Sequence, residues 1–314
     1  MDTLTVLVPH PAGLRAIGPH AELRALLYDP AQPPTAEQRE ATVMVVDAAG
    51  VSEAVAFMHG LPRLELVQTL NAGYDQWVGR LPPGVRLSNA RGAHGRAVAE
   101  WVVAGLLAHY RRLPTFAAAQ ARGAWEYEVT SSLAGKAIGV LGAGDIGQHL
   151  QRMLEPLSGP VTLVGRTSRP GVLDTDQFRG ILPDQDAVVL ALPLTAETRG
   201  LVDAGFLGAM KDGAVLVNAG RGPLVKTEAL VAETANRRLA AILDVTDPEP
   251  LPSDHPLWSA PGVIITPHVS GSVTGLWGRA WAVAAQQIEL YARGQPPTNL
   301  VLGAVLDAHG GYDT

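Results

Sequence analysis

A glycine-rich turn between an apolar run and a helical segment constrains the fold of this chain more than any other feature. The run 137–141 is followed at once by Gly142-Ala143-Gly144-Asp145-Ile146-Gly147, and a helical pattern continues to about residue 157. This spacing fits the G-x-G-x-x-G fingerprint, in which the glycines permit a tight turn, close approach to a pyrophosphate and close helix–strand packing. The motif predicts a dinucleotide bound at a helix N-terminus by Gly142, Gly144, Asp145, Ile146 and Gly147.

Short apolar runs alternate with helical stretches along most of the chain. Strands are predicted at 4–8, 42–46, 64–68, 161–164, 187–192, 214–217, 241–243 and 263–266, and helices at 21–28, 52–59, 95–112 and 273–291. Such alternation is typical of parallel sheets with helical crossovers. We therefore predict an α/β fold with two Rossmann-like, doubly wound domains. The nucleotide-binding domain, 94–284, is inserted into a discontinuous substrate domain formed by 1–93 plus 285–314.

Composition limits the classes of function that remain. The 314 residues include 24 basic and 30 acidic side chains, which give a formal net charge of −6 and disfavour a nucleic-acid partner. Cysteine is absent, so disulfides and thiolate chemistry are excluded, and no metal site is predicted. The first residues lack a signal-peptide pattern, and no apolar run approaches the ~18 residues of a membrane span. We expect a soluble, cytoplasmic protein that does not bind a membrane.

The end of the second strand of the nucleotide domain bears on the choice of dinucleotide. An NAD site usually places a carboxylate there to bind the ribose hydroxyls. Here the strand ends Val164-Gly165-Arg166-Thr167-Ser168-Arg169, without a carboxylate. Guanidinium groups form bidentate, charge-assisted bonds to phosphate, and hydroxyls add donors. The segment favours NADP(H), held by Arg166, Thr167 and Ser168. NAD(H) is the alternative cofactor. The alternative to any cofactor contact is that 165–169 is a solvated loop whose arginines bind nothing.

Three later strands each lead into a residue type used in proton-transfer chemistry. Arg221 follows the run 214–217, Glu249 lies in the acidic segment after 241–243, and His268 follows 263–266. Taken alone, each residue has an ordinary explanation. A loop arginine usually lies on the surface, an acidic residue before proline is usually solvated, and most of the 9 histidines are not expected to be catalytic. Open α/β sheets bind ligands at the carboxyl ends of their strands. Together the three supply a cation for a carboxylate or carbonyl, an acid that tunes a proton donor, and the donor itself.

These segments resemble the D-isomer-specific 2-hydroxyacid dehydrogenases over nearly the whole chain. The Gly165–Arg169 segment is similar in particular to that of the NADPH-preferring glyoxylate/hydroxypyruvate reductases. Beyond the glycine fingerprint, the resemblance is carried by an ordered series of motifs: Pro193-Leu194-Thr195, Thr198-Arg199-Gly200-Leu201, Met210-Lys211, 218–225, Leu243-Asp244-Val245, Glu249-Pro250-Leu251-Pro252, Asp254-His255-Pro256-Leu257-Trp258 and Thr266-Pro267-His268.

The resemblance implies a role for each matched residue. Arg221 would bind the carboxylate and carbonyl oxygen of a 2-oxo acid, His268 would be the acid/base, and Glu249 would pair with its imidazole. The loop Asn71-Ala72-Gly73-Tyr74-Asp75 would receive the substrate carboxylate on the backbone amides of Ala72 and Gly73. Asp244 would contact the nicotinamide carboxamide. Further cofactor contacts are implied for Leu192, Pro193, Thr198, Ala219 and Gly271.

The implied activity is reduction of a small 2-oxo acid of glyoxylate or hydroxypyruvate type to the D-2-hydroxy acid by NADPH. The apolar excess of the helical pattern at 95–112 indicates burial, and we expect a homodimer formed through this region. Three alternatives remain: an NAD-linked member such as a phosphoglycerate dehydrogenase, a nucleotide-sensing protein like the corepressors that share this fold, and a hydrolase of the adenosylhomocysteine type. The last would not be expected to show the ordered Arg, Glu, His series.

Two residues depart from the family pattern, and two aromatic residues need an assignment. Relatives often have asparagine in place of His94. Its role is either a substrate contact or a cap for the long helix, and the sequence does not decide between them. Tyr74 stands where smaller residues are frequent, which leaves the size of the pocket open. Trp125 and Trp258 are assigned to the core or to a subunit interface rather than to ligand contacts.

Overall fold

The chain divides into two units, each built on its own mostly parallel sheet. The computed structural model describes residues 3–18, 20, 22–47 and 50–302. One unit comprises Met1–His94 with Thr274–Thr314, and the other Gly95–Val273. The two sheets, with helices on both faces of each, confirm the predicted α/β class and its Rossmann-like organisation. Among the described residues, no helix is long and apolar enough to cross a membrane.

The first part of the chain supplies five strands and two helices. They are β1 (Leu4–Val8), α1 (Pro11–Ile17), β2 (Leu23–Leu27), β3 (Val43–Val46), α2 (Val51–Met58), β4 (Leu66–Thr69) and β5 (Arg86–Ser88). The predicted helix at 21–28 is wrong, because β2 pairs in parallel with β1 along its whole length. Its leucines suit a helix locally, but hydrogen bonding to a neighbouring strand overrides that preference.

The second unit contains the next helices and strands in alternation. They are α3 (Gly95–Tyr110), α4 (Leu113–Ala121), β6 (Ile138–Leu141), α5 (Asp145–Leu154), β7 (Val161–Val164), β8 (Val172–Leu173), α6 (Thr175–Ile181), β9 (Ala187–Leu190), α7 (Ala204–Ala209), β10 (Val215–Asn218), α8 (Thr227–Ala235), β11 (Ala240–Leu243) and β12 (Val263–Ile265). Its seven strands run in the order β12-β11-β10-β9-β6-β7-β8, with every pair parallel. The strand order therefore changes direction after β8, because β9 pairs with the opposite side of β6 from β7. The carboxyl end of β6 lies at this change of direction, where such sheets bind ligands.

A last helix, α9 (Leu276–Ala292), and a last strand, β13 (Leu300–Leu302), return to the first unit. Strand β13 pairs antiparallel with β5 and completes a six-stranded sheet in the order β13-β5-β4-β3-β1-β2. The predicted boundary at 284 falls inside α9, whereas the structure places the change of unit at 273. The reason is packing, because the apolar face of α9 shares a core with β1, β3 and β4 through Ala280, Trp281, Ala284, Ala285 and Ile288.

Alternation along the strands gives each sheet two cores. In the first unit, Val6 and Val43 pack with α9 on one face, while Leu7 and Met44 pack with α2 on the other. In the second unit, α3 and α5 cover one face, and α6, α7 and α8 cover the other. Burial on both faces is the usual state of a parallel sheet. The strand ends are therefore fixed from both sides, which positions the loops that follow them.

Candidate active site

The turn after β6 has the geometry of a phosphate-binding loop. Gly142 has φ +123, and a Cβ there would overlap the Ala191 carbonyl oxygen. A Cβ on Gly147 would overlap the Gly142 carbonyl oxygen, so α5 packs directly on this turn. Gly144 is different, because a Cβ there would meet no described atom within 4 Å. The space above Gly144, at the N-terminus of α5, fits the pyrophosphate of a dinucleotide approached by backbone N–H groups.

The segment after β7 presents cationic and hydroxyl side chains to solvent. Arg166, Thr167 and Ser168 are exposed, and a Cβ on Gly165 would lie 3.2 Å from Nη1 of Arg169. The Thr195 hydroxyl holds the pKa of the exposed Glu197 carboxyl below its usual range, with a smaller contribution from the positive charge of Arg166. This arrangement is compatible with a 2′-phosphate, because it offers guanidinium and hydroxyl donors and no carboxylate at the strand end.

The remaining predicted cofactor contacts follow other strands of the same sheet. Leu192 and Pro193 come after β9, where the Thr198 hydroxyl donates to the Pro193 carbonyl at 2.7 Å. Ala219 comes after β10, and Gly271 comes after β12. All lie on the carboxyl side of the second sheet, although their contacts with a cofactor stay predictions. Among the described residues, no group of three or more histidine and carboxylate side chains could hold a metal ion.

Arg221 is held in a tight loop after β10. The buried Asn218 side chain donates from Nδ2 to the Arg221 carbonyl oxygen at 2.9 Å and accepts from the Gly220 N–H at 3.1 Å. Nη1 of Arg221 donates to the Gly220 carbonyl oxygen at 2.9 Å. A Cβ on Gly222 would overlap the carbonyl oxygen of Thr246, so the loops after β10 and β11 touch. Sequence reasoning missed this function of Asn218, although an asparagine directly after the apolar run 214–217 is a signal for it.

His268 and Glu249 are in direct contact. Nδ1 of His268 lies 2.7 Å from Oε1 of Glu249, and the two side chains are 48% and 41% exposed. Because Nδ1 is engaged by the carboxylate, Nε2 is the ring nitrogen left to exchange a proton with a ligand. His268 has φ +54, a conformation that non-glycine residues rarely adopt. The pair has the arrangement of a general acid/base oriented by a carboxylate.

The residues predicted to bind the substrate carboxylate lie in the first unit. Ala72 and Gly73 follow β4, and Nδ2 of Asn89 donates to the Ala72 carbonyl oxygen at 2.8 Å. Nε2 of His94 donates to the Leu70 carbonyl oxygen at 3.1 Å, so this imidazole braces the turn that leads to Ala72. Tyr74 packs against the apolar core on the α2 side of the sheet.

The two aromatic residues set aside from ligand binding lie on the surface of the second unit. Trp125 is 99% exposed, so it is not a core residue within this chain. Trp258 is 53% exposed, and its Nε1 donates to the Pro252 carbonyl oxygen at 2.8 Å.

Comparison with known proteins gives consistent matches. The family model for the NAD-binding domain of D-isomer specific 2-hydroxyacid dehydrogenases matches residues 103–270. Glyoxylate/hydroxypyruvate reductase B of Citrobacter koseri is 34% identical over 260 residues, covering 77% of this chain and 80% of that protein. Glyoxylate/hydroxypyruvate reductase A HPR2 of Arabidopsis thaliana is 32% identical over 239 residues, covering 73% and 76%.

A solved structure matches across both units. The crystal structure of a D-isomer specific 2-hydroxyacid dehydrogenase from Xanthobacter autotrophicus Py2, in complex with NADPH and MES, has a TM-score of 0.80 and 29% sequence identity. The match covers 96% of this chain and 99% of that one. The similarity therefore extends well beyond the dinucleotide-binding unit.

Proposed function

This chain belongs to the D-isomer-specific 2-hydroxyacid dehydrogenase family, and on that premise we propose that it reduces a small 2-oxo acid of the glyoxylate or hydroxypyruvate type with NADPH. The product is the D-2-hydroxy acid. The family comprises NAD(P)-dependent oxidoreductases that act on CH–OH donors. The observation that carries the proposal is the 2.7 Å contact between His268 and Glu249, on the same sheet edge as Arg221.

The turn at Gly142–Gly147 would hold the pyrophosphate of a nicotinamide dinucleotide, which would supply the hydride for reduction of the 2-oxo acid. The planar guanidinium of Arg221 binds the substrate carboxylate and carbonyl oxygen, which orients the carbonyl and stabilises negative charge on its oxygen. Nε2 of protonated His268 gives its proton to that oxygen, so the alkoxide becomes a hydroxyl. The Glu249 carboxylate stabilises the imidazolium before transfer and fixes the ring orientation through Nδ1. The assignment of the Ala72 and Gly73 amides to the substrate carboxylate stays a prediction.

The preference for NADPH over NADH is supported by the segment after β7. Glycine at position 165 replaces the carboxylate that would repel a 2′-phosphate, and Arg166, Thr167 and Ser168 are exposed donors. A charge-assisted hydrogen bond contributes about 1.5–3 kcal/mol, which corresponds to about 10–150-fold in affinity. The relative from Xanthobacter autotrophicus was crystallised with NADPH. We expect NADPH to be favoured by at least about tenfold in catalytic efficiency.

The homodimer and the cytoplasmic location are part of the same proposal. Three large apolar side chains after α4, those of Trp125, Tyr127 and Val129, are 99%, 87% and 79% exposed. Large apolar side chains that are this exposed and lie this close together in the sequence favour a protein interface. A second copy of the chain that packs on the 95–112 region and on these residues would cover them. Light scattering on the purified protein distinguishes this dimer from a monomer.

A steady-state screen tests the reaction. Wild-type protein is assayed with glyoxylate, hydroxypyruvate and phosphohydroxypyruvate, each with NADPH and with NADH, by the absorbance of the reduced nicotinamide. The proposal predicts turnover of the first two acids with NADPH favoured. Preferred turnover of phosphohydroxypyruvate with NADH would support the NAD-linked alternative. Tight NADPH binding without turnover of any of the acids would support a nucleotide-sensing protein.

A further inference from the structure

Two consecutive peptide groups in the loop after β4 are held through their carbonyl oxygens. The Asn71 carbonyl oxygen accepts a hydrogen bond from the Ala90 N–H at 3.0 Å. The Ala72 carbonyl oxygen accepts one from Nδ2 of Asn89 at 2.8 Å. In a planar trans peptide, the N–H points away from the C=O of the same group. The N–H groups of Ala72 and Gly73 belong to these two peptides, so both point away from the residues that hold the carbonyl oxygens.

Asn89 can hold the Ala72 carbonyl because its own side-chain amide has a fixed orientation. The residue directly follows β5 and is 5% exposed. Its Oδ1 accepts from the Arg91 N–H at 3.1 Å, which directs Nδ2 to the Ala72 carbonyl oxygen. Its backbone N–H donates to the Asn299 carbonyl oxygen at 3.0 Å. Both the side chain and the backbone of Asn89 are therefore anchored.

Asn299 anchors this arrangement from the C-terminal part of the first unit. It directly precedes β13 and is 7% exposed. Its Nδ2 donates to the carbonyl oxygens of Asn89 at 3.1 Å and Arg91 at 3.0 Å, and its Oδ1 accepts from Nε of Arg91 at 3.2 Å. Its backbone N–H donates at 2.9 Å to Oε1 of Gln287, which is 2% exposed in α9. Because the polar groups of Asn299 are all paired, this buried network favours a single arrangement of the segment 89–91.

We propose that Asn89 and Asn299 are positioning residues for the carboxylate of the substrate. Asn89 sets the plane of the peptide between Ala72 and Gly73, and Asn299 sets Asn89. Successive backbone N–H groups bind an anion well when they are oriented before it arrives, because no reorganisation is then needed. The role toward the substrate rests on the proposed function, which assigns these two N–H groups to the carboxylate. The orientation of the two peptides does not rest on it.

The variant Asn89→Asp tests the proposal at nearly constant side-chain shape. It replaces the Nδ2 donor by a carboxylate oxygen, which repels the Ala72 carbonyl oxygen and should turn the peptide that carries the Gly73 N–H. Loss of one charge-assisted hydrogen bond to the substrate should raise the KM for hydroxypyruvate by at least about tenfold. Because this contact is the same in the ground state and the transition state, kcat should stay within about threefold of wild type. The Kd for NADPH should match that of wild type.

Amide hydrogen exchange gives a readout that needs no substrate. The Ala90 N–H donates to the Asn71 carbonyl oxygen, so its exchange rate reports whether the loop after β4 stays attached to the segment 89–91. In Asn89→Asp this exchange should become at least about tenfold faster, because the neighbouring hydrogen bond to Ala72 is replaced by a repulsion.

Two further variants and a control separate this role from a general loss of folding. Asn89→Ser introduces no charge, and its hydroxyl still accepts from the Arg91 N–H but is too short to reach the Ala72 carbonyl oxygen. It should shift the KM and the exchange rate in the same direction by a smaller factor. Asn299→Asp removes the two hydrogen bonds from Nδ2 and should also raise both. Asn236→Asp makes the same chemical change at an exposed asparagine of the second unit and should match wild type.

Two results would overturn the proposal. Unchanged exchange at Ala90 in both Asn89→Asp and Asn89→Ser would show that Asn89 does not hold the loop. Faster exchange with an unchanged KM for hydroxypyruvate would show that the loop does not bind the substrate carboxylate. If wild type turned over no 2-oxo acid, the proposed reduction would fail together with the role toward the substrate. Faster exchange in the variants would still support the orientation of the two peptides.

Discussion

Replacing Gly144 by alanine separates the dinucleotide site from the stability of the fold. A Cβ at this position meets no described atom within 4 Å, and φ −84 lies outside the positive range that favours glycine. Alanine is a poorer helix N-cap than glycine by roughly 0.5–1 kcal/mol. It also restricts the unfolded chain, which stabilises the protein by about 0.4–1 kcal/mol. These effects oppose each other, so the free energy of unfolding should change by less than about 1 kcal/mol.

The effect of Gly144→Ala on cofactor binding should be much larger. The new methyl group stands in the open space at the N-terminus of α5, where the backbone N–H groups would meet a pyrophosphate. Loss of one such charge-assisted hydrogen bond costs about 1.5–3 kcal/mol, or about 10–150-fold in affinity. Fluorescence or calorimetric titration with NADPH should therefore give a Kd raised at least about tenfold. Thermal denaturation of the same sample should give a Tm close to that of wild type.

Gly147→Ala is the matched control. A Cβ there would overlap the Gly142 carbonyl oxygen and lie 3.6 Å from Cδ2 of Leu163, so this variant should lose stability itself. Binding of NADPH to Gly144→Ala within about twofold of wild type would refute the placement of the pyrophosphate. A loss of Tm equal to that of Gly147→Ala would refute the claim that the space above Gly144 is open.

The remaining predictions concern cofactor choice, substrate binding and stability. Arg166→Ala should raise the KM for NADPH and leave that for NADH almost unchanged; equal changes in both would contradict a role at the 2′-phosphate. Arg221→Lys keeps the charge but loses the planar fork, so kcat/KM for the 2-oxo acid should fall at least about 10²-fold. A fully active lysine variant would make Arg221 structural. Burial alone would raise the pKa of the Asp186 carboxyl, but hydrogen bonds from Lys211 and the Ala137 N–H, together with nearby lysine charges, hold that pKa below its usual range. A lowered pKa in the folded state stabilises the protein above the unfolded value of about 3.9, and this stabilisation is lost as the pH falls through the folded value. Asp186→Asn should therefore lower the free energy of unfolding by about 1–2 kcal/mol at neutral pH, and denaturant unfolding should show the difference from wild type shrinking in acid. A difference independent of pH would contradict this.

The fold was largely predictable where an apolar run is bounded by turn-forming residues such as glycine and proline. The predicted strands 4–8 and 161–164 match β1 and β7 residue for residue, because each is an aliphatic run ended by a turn-forming residue. The prediction of a helix at 21–28 was wrong because this leucine-rich segment does not show the apolar–polar alternation of a strand. Its strand β2 is defined only by pairing with β1. The two-residue β8 and the three-residue β13 were not predicted, because neither lies in a longer aliphatic run.

The candidate site was predictable in its residue types but not in its supporting contacts. Arg221, Glu249 and His268 each follow a recognisable strand run, and parallel strands place their ends on one edge. The hydrogen bonds that the Asp244 carboxylate accepts from the turn 266–270 join residues 22–26 positions apart in the sequence. No local pattern encodes such a contact. It exists only because β11 and β12 are adjacent in the sheet.

The most direct test of the account is the reduction of hydroxypyruvate by the variant His268→Asn. Asparagine tolerates the positive φ of this position but cannot deliver a proton in place of imidazole. Single-turnover reduction by NADPH and the Kd for NADPH are measured on the same preparation. The account predicts a rate lowered by about 10²–10⁴-fold with a Kd within about twofold of wild type. A rate within a few-fold of wild type would remove His268 and its contact with Glu249 from the reaction.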